Sequence, residues 1–164
     1  MHIAIFGSAN NEFAVPFQAK IVQLLSALEY LAFTLIYGGG NEGLIGLIRD
    51  YKGSTISINA VDYLIPGVPE TYIFPTLMER QHKLIELGDI YLFLPGCSGT
   101  AFELFDIFVR RRKEIKPLKP LLIFNVDGFY THLIAHIKQY NNLESVYIYD
   151  SFEAIIEFFT HLDI

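Results

Sequence analysis

The chain reads as a doubly wound α/β fold, a mostly parallel sheet flanked by helices, in a single domain over residues 1–164. Three observations predict it. Apolar runs of strand length alternate with segments of helical spacing almost from end to end. Several of those runs (LAFTLIY, IYLFL, LLIF) are solidly apolar, as strands are when helices cover both faces of a sheet. No linker, repeat, charge block or low-complexity tract divides the chain, and 164 residues suit one domain.

Each element has its own signal. His2–Phe6 is a short apolar run closed by Gly7-Ser8, a buried strand and its turn. Phe17, Ile21, Leu24, Leu25 and Leu28 recur at helical spacing and predict an amphipathic helix over Phe13–Leu31. Phe33–Tyr37 is a strand ended by Gly38-Gly39-Gly40. A short helix over Leu44–Tyr51, starting near Asn41 or Glu42, and a strand over Thr55–Ile58 follow. Pro66, Gly67, Pro69 and Pro75 make Val61–Phe74 mostly loop or irregular strand. Thr76 caps a helix running to Leu87, with Glu79 in its first turn. Ile90–Leu94 is a strand and Thr100–Lys113 a helix, whose closing cations Arg110–Lys113 complement its C-terminal dipole. Leu121–Phe124 is a strand, Asp127-Gly128 a turn, Tyr130–Tyr140 a helix and Val146–Tyr149 a strand. The last helix is Ser151–His161, capped by Ser151.

Composition narrows the function. The chain is 52% apolar and 15% aromatic, enough for a sizeable core and for a buried subunit interface. A net charge of −6 argues against nucleic-acid binding, which needs a basic face, but not against a small anion in a local pocket. No uninterrupted run of 18 apolar residues predicts a membrane span. The N-terminus lacks the basic region and cleavage site of a secretory signal, and a single cysteine fits a reducing cytoplasm.

In a parallel sheet, ligands sit at the carboxyl ends of strands. Gly7-Ser8, Gly38–Gly43 and Gly96–Gly99 each follow a strand, so three segments far apart in sequence converge on one edge. In Pro95-Gly96-Cys97-Ser98-Gly99-Thr100 a strand ends and a helix begins. The free N–H groups there can receive a phosphate without a basic side chain. Ser98 and Thr100 add hydroxyl donors. An ordinary turn with Thr100 as N-cap is the plain alternative. Glu103, three residues after Thr100, either completes a capping box or points across the pocket at a sugar. Glycines 38–40 and 43 lose much backbone entropy on folding, which a ligand lying on the backbone or close helix packing would offset. Arg80 is either a solvated helix residue or a ligand for phosphate or sugar. Cys97 reads as a small loop residue rather than a nucleophile. His132 and His136 share a helix face without a third metal ligand, so no metal is expected.

These motifs, in this order, resemble the Lonely Guy (LOG) proteins, also described as possible lysine decarboxylases. Tyr37–Gly46 is similar to the family's YGGGxxGLMG, Glu79-Arg80 to the Glu-Arg of its MHERK stretch, and Pro95–Glu103 to its PGGxGTxxE. Gly7-Ser8 and Phe124–Tyr130 (FNVDGFY) extend the likeness over nearly the whole chain. The resemblance implies a Rossmann-like nucleotide-binding domain acting as a phosphoribohydrolase. Such an enzyme cleaves the N-glycosidic bond of AMP or a cytokinin riboside 5′-monophosphate to free base and ribose 5-phosphate. Arg80 and Glu103 fall on the family's catalytic pair. Ser8, Gly39, Gly40, Arg80, Gly96, Cys97, Ser98, Gly99 and Thr100 are the implied substrate and phosphate contacts. A homodimer is implied, and no cofactor. Lysine decarboxylation is not expected, since no pyridoxal-phosphate lysine motif is recognisable.

The chain also departs from the family pattern. Cys97 replaces the second motif glycine, at a cost of about 1 kcal/mol if that position needs a positive φ. Gln81 replaces a lysine, Leu77-Met78 replace Met-His, and Tyr51–Thr76 is short, with Asp62 a weak match to a substrate-contacting acid. Oxocarbenium chemistry gives Glu103 a role in stabilising positive charge and orienting water, with Arg80 keeping it ionised. Two other readings remain: a nucleotide-binding or sensing protein without turnover, and a carrier such as a molybdenum-cofactor binder.

Overall fold

The computed structural model describes residues 1–113 and 118–162; residues 114–117 and 163–164 of the expected domain lie outside the described residues. Strands β1 (His2–Phe6), β2 (Thr34–Tyr37), β3 (Ser54–Ala60), β4 (Tyr72–Phe74), β5 (Ile90–Phe93), β6 (Leu121–Phe124) and β7 (Val146–Tyr149) form one sheet in the order β4-β3-β2-β1-β5-β6-β7. Every neighbouring pair is parallel. The helical segments are α1 (Asn11–Ala14), α2 (Gln18–Leu28), α3 (Gly43–Gly46), α4 (Leu77–Leu87), α5 (Ser98–Arg111), α6 (Thr131–Tyr140) and α7 (Phe152–Thr160).

Strand periodicity of two divides the core. Ile3, Ile5, Leu35 and Leu92 pack with Ile21, Leu24 and Leu28 of α2 and with Ile155 and Phe159 of α7. Ala4, Phe6, Ile36, Phe93 and Ile123 pack on the opposite face with Leu84 of α4, Leu104 and Phe108 of α5, and Ile137 of α6. Phe6 and Phe93 stack at 4.6 Å between the adjacent central strands β1 and β5. Both sheet faces are therefore covered, which is why these strands carry apolar residues on both sides.

The fold class is as expected, and three local expectations are corrected. The helix over Phe13–Leu31 is broken: Asn10 caps α1, Pro16 follows it without an N–H to continue the ladder, and α2 starts at Gln18. A 3₁₀ turn at Glu29–Leu31 ends at Ala32, in left-handed geometry. The helix over Leu44–Tyr51 is one α turn, α3, followed by a 3₁₀ turn at Leu47–Asp50. The proline-rich stretch is mostly loop, as expected, with one short strand, β4, which pairs only with β3 at the sheet edge, where neighbouring prolines interrupt no central ladder. Finally, α5 begins at Ser98, so Thr100 is its third residue and not its N-cap.

Strand order reverses between β1 and β5. The chain leaves β1 toward one edge and leaves β5 toward the other, opening a crevice beyond their carboxyl ends. Ser8 N–H donates to the Pro95 carbonyl (3.1 Å), which ties the two loops together. The Ser8 carbonyl accepts from Leu44 N–H (2.8 Å) and Ile45 N–H (3.3 Å), and so holds α3 against the same point. Gly43 makes this approach with φ +63°. A Cβ there would overlap the Ser8 carbonyl and lie 2.6 Å from the Ala9 carbonyl carbon. Gly43→Ala should therefore cost about 2 kcal/mol or more and lower the melting temperature by roughly 4–8 °C, read by calorimetry. An unchanged melting temperature would mean that this junction relaxes freely.

Candidate active site

A cavity of about 590 Å³ opens at this switch point, within the size range of small-molecule sites. All three glycine segments contribute to its wall: Gly7 and Ser8 after β1, Gly38–Gly40 after β2, and Cys97 and Gly99 after β5. Arg80 and Gln81 enter from α4, Thr100 and Glu103 from α5. The convergence expected from the strand-end glycines is present in space.

Arg80 is not a solvated surface residue. Its Nη1 donates to Glu103 Oε1 at 3.1 Å and its Nε to the Ile58 carbonyl at 3.3 Å. The paired side chains are only 18% and 13% exposed. The guanidinium lies against Gly38, where a Cβ would overlap Nη2 and sit 2.8 Å from Cζ. Gly38 therefore lacks a side chain where the arginine crosses the turn. Glu103 is the sixth residue of α5, beyond its first turn, and makes no capping box with Thr100. Glu103 instead lines the cavity, with Arg80 as its partner. Burial pushes the Glu103 carboxyl above its ordinary range, against the opposing charge and hydrogen bond of Arg80. Desolvation outweighs the guanidinium in setting the direction of that shift, while Arg80 acts to favour the ionised form.

The start of α5 is open. Asn10, Thr76 and Ser151 cap α1, α4 and α7 through side-chain acceptors, whereas Cys97, at the N-cap of α5, makes no such bond. The first N–H groups of α5 therefore carry no side-chain cap from Cys97. A Cβ on Gly99 would meet nothing within 4 Å, so space lies over them. Gly96 serves a different purpose, since a Cβ there would lie 2.5 Å from that of Thr100. Gly96 and Ser98 shape the turn but do not line the cavity. Cys97 has φ −89°, an ordinary value, so replacing glycine there costs no left-handed strain. Below the loop, buried Tyr130 donates its hydroxyl to the Leu94 carbonyl at 2.7 Å, and burial raises its phenol well above the ordinary range.

The triple-glycine turn is held from an unexpected side. Glu70 Oε1 accepts from Gly40 N–H (2.7 Å) and from Asn59 Nδ2 (3.3 Å). Arg49 Nη1 donates to the Gly40 carbonyl (3.3 Å) and the Pro69 carbonyl (3.4 Å). Gly39 and Gly40 do adopt positive φ, 77° and 79°. The Gly40 N–H, however, is occupied by Glu70 and is not free for phosphate, which corrects that expected contact. Ser8 Oγ likewise accepts from Asn10 N–H at 3.1 Å.

A family model described as "Possible lysine decarboxylase" matches residues 38–159, from the glycine turn to α7. The chain belongs to the Lonely Guy (LOG) family, to which that description applies. Among curated LOG relatives, it is 30% identical to the probable cytokinin riboside 5′-monophosphate phosphoribohydrolase LOGL5 of Oryza sativa subsp. japonica, over 84% of this chain and 59% of that protein. It is 28% identical to LOGL6 of the same rice, over 84% of this chain and 58% of that protein. The chain thus spans a little under three fifths of these two relatives' length. The X-ray structure of TM1055 superposes with a TM-score of 0.75 at 17% identity, covering 98% of this chain and 99% of that one. A molybdenum cofactor carrier protein from Chlamydomonas reinhardtii gives 0.73 at 14% identity, covering 98% and 96%. At these identities the structures share the fold alone with this LOG chain.

Sequence reasoning missed Glu70, Asn59 and Arg49, because a partner 30 residues from Gly40 inside a proline-rich loop has no readable spacing. It also missed the position of Gln81, which is 2% exposed and lines the cavity. The signal was present: Gln81, Leu84 and Ile85 fall at i, i+3 and i+4, the buried stripe of α4. Among the described residues, no helix is long and apolar enough to cross a membrane, and no group of three His, Cys, Asp or Glu side chains is placed to hold a metal.

The electrostatics of the pair can be read in stability. Because the folded Glu103 carboxyl titrates above its unfolded counterpart, the folded state binds more protons between those two values. Its contribution to stability therefore falls as pH rises from the ordinary carboxylate range through the folded value. Denaturant melts at pH 5 and pH 7 should show wild type losing stability relative to Glu103→Gln on going to pH 7. The opposite slope would mean that Arg80 dominates after all.

Proposed function

We propose that the protein is a nucleoside 5′-monophosphate phosphoribohydrolase, hydrolysing the N-glycosidic bond of AMP or a cytokinin riboside 5′-monophosphate. The observation that carries this reading is the Arg80–Glu103 pair, 3.1 Å apart and largely shielded from water, lining the same cavity as Gly99 and Thr100 at the start of α5. Family membership and relatives named as cytokinin riboside 5′-monophosphate phosphoribohydrolases support it.

Phosphate is received by the first N–H groups of α5, with Thr100 beside them and the helix dipole favouring the negative charge. That anchor fixes the sugar and converts binding energy into positioning. The apolar rim of Tyr63, Ile65, Leu77 and Phe102 offers a wall for a planar base. With the anomeric carbon near Glu103, the carboxylate stabilises the positive charge that develops as the bond to the base breaks. It also orients water, whose oxygen bonds to the anomeric carbon while its proton leaves with the base. Arg80 holds Glu103 in place and supplies a donor to ribose or phosphate oxygens. None of these steps needs a metal or an organic cofactor. The expected homodimer and cytoplasmic setting belong to the same proposal, and scattering mass of the purified protein tests the former.

Purified protein incubated with AMP or isopentenyladenosine monophosphate should release free base, resolved by chromatography. Glu103→Gln should lower that rate by at least about a thousandfold while the protein still melts cooperatively near the wild-type temperature. Nucleotide binding by calorimetry with no base from any nucleoside monophosphate would replace this reading with a non-catalytic sensor.

A further inference from the structure

Gln81 has no role in the mechanism above, and its surroundings are unusual. It sits on the inward stripe of α4 directly after Arg80, is 2% exposed, and lines the same cavity as Arg80, Thr100 and Glu103. Neither its Oε1 nor its Nε2 has a hydrogen-bonding partner among the described residues. A buried amide without partners is costly, and a residue such as methionine would fill the same space without that cost.

The missing partner can be characterised from the amide itself. It must both donate, to Oε1, and accept, from Nε2. A phosphate oxygen only accepts and would leave Oε1 unmet. Almost none of either amide atom's surface is exposed, so a ligand must displace neighbouring atoms to reach it, and the broad edge of a base would displace far more than one hydroxyl. A single hydroxyl meets both demands through one atom. With a sugar held between the α5 start and Glu103, the 2′-hydroxyl, on the carbon next to the anomeric carbon, is the group available on that side.

We infer that Gln81 is a specificity-determining residue that binds a ribose hydroxyl of the substrate, so that the site takes ribonucleotides in preference to deoxyribonucleotides. This rests on the phosphoribohydrolase reading for the identity of the ligand, but it is a statement about binding and survives if turnover is absent. Hydrogen-bonding sites of this kind reject analogues that lack the hydroxyl, because the buried amide is then left unpaired.

The test compares AMP with 2′-deoxyAMP and 3′-deoxyAMP, by calorimetric Kd and, where base is released, by kcat/KM. Wild type should favour AMP over 2′-deoxyAMP by about tenfold or more, with 3′-deoxyAMP as the control for a hydroxyl elsewhere on the ring. Gln81→Met should bring that ratio to about one, with a melting temperature equal to or above wild type. A merely structural role would weaken all three nucleotides together and leave the ratio intact. The inference is overturned if wild type does not discriminate, which needs no variant, or if the ratio persists in Gln81→Met, as it would if a buried water satisfies the amide. Loss of the binding ratio in a protein that releases no base supports the inference while removing the hydrolase reading. Failure of every nucleotide to bind removes both.

Discussion

The contact between the loops after β1 and β5 is the constraint on which the site depends. These strands lie side by side in the middle of the sheet, and the chain departs from them in opposite directions. No crossover connection fills the space beyond their ends, so the space is available to a ligand. The Ser8–Pro95 backbone bond closes the two loops on each other, and the Ser8 carbonyl then receives the start of α3. One serine backbone thereby joins three segments drawn from positions 8, 44 and 95 of the chain. The Phe6 and Phe93 rings, paired at the ends of these two strands, stack inside the core.

From that junction the charges follow. Because α4 crosses from the edge strand β4 to the central strand β5, it runs past the carboxyl ends of β3 and β2. Arg80 therefore meets the Ile58 carbonyl and Gly38 on its way to Glu103. The pair is shielded enough that burial, rather than the guanidinium, governs the carboxyl's affinity for protons. The start of α5 differs. Its first backbone N–H groups meet no side-chain cap from Cys97, an arrangement that suits an anion without any basic patch.

The strap from Val61 to Phe74 also gains meaning in this context. It rises from β3, contributes apolar side chains to the rim, and returns as β4 after Glu70 has grasped the glycine turn. The positive-φ glycines are thus held by a carboxylate from the strap, and Arg49 ties the same turn to Pro69. Local glycine content and a distant acid act together here, and neither accounts for the turn alone.

Patterns that are local in the chain are legible in the amino-acid sequence. Alternating apolar runs and helical spacing determine the parallel α/β class, because burial on both faces of a sheet leaves a direct imprint on residue order. Strand-end glycines mark the edge where the cavity opens, and the Glu-Arg and PGxSGTxxE motifs mark Arg80 and Glu103. Pro16 carries a helix-breaking signal of its own, masked by the helical spacing of the apolar residues around it. What required the folded chain was everything joined across distance. Only tertiary packing brings Arg80 to Glu103, Glu70 to Gly40 and Ser8 to Pro95, and only burial sets the direction in which Glu103 titrates. Hydrogen bonds and desolvation depend on separation in space, and separation along the sequence carries no record of them.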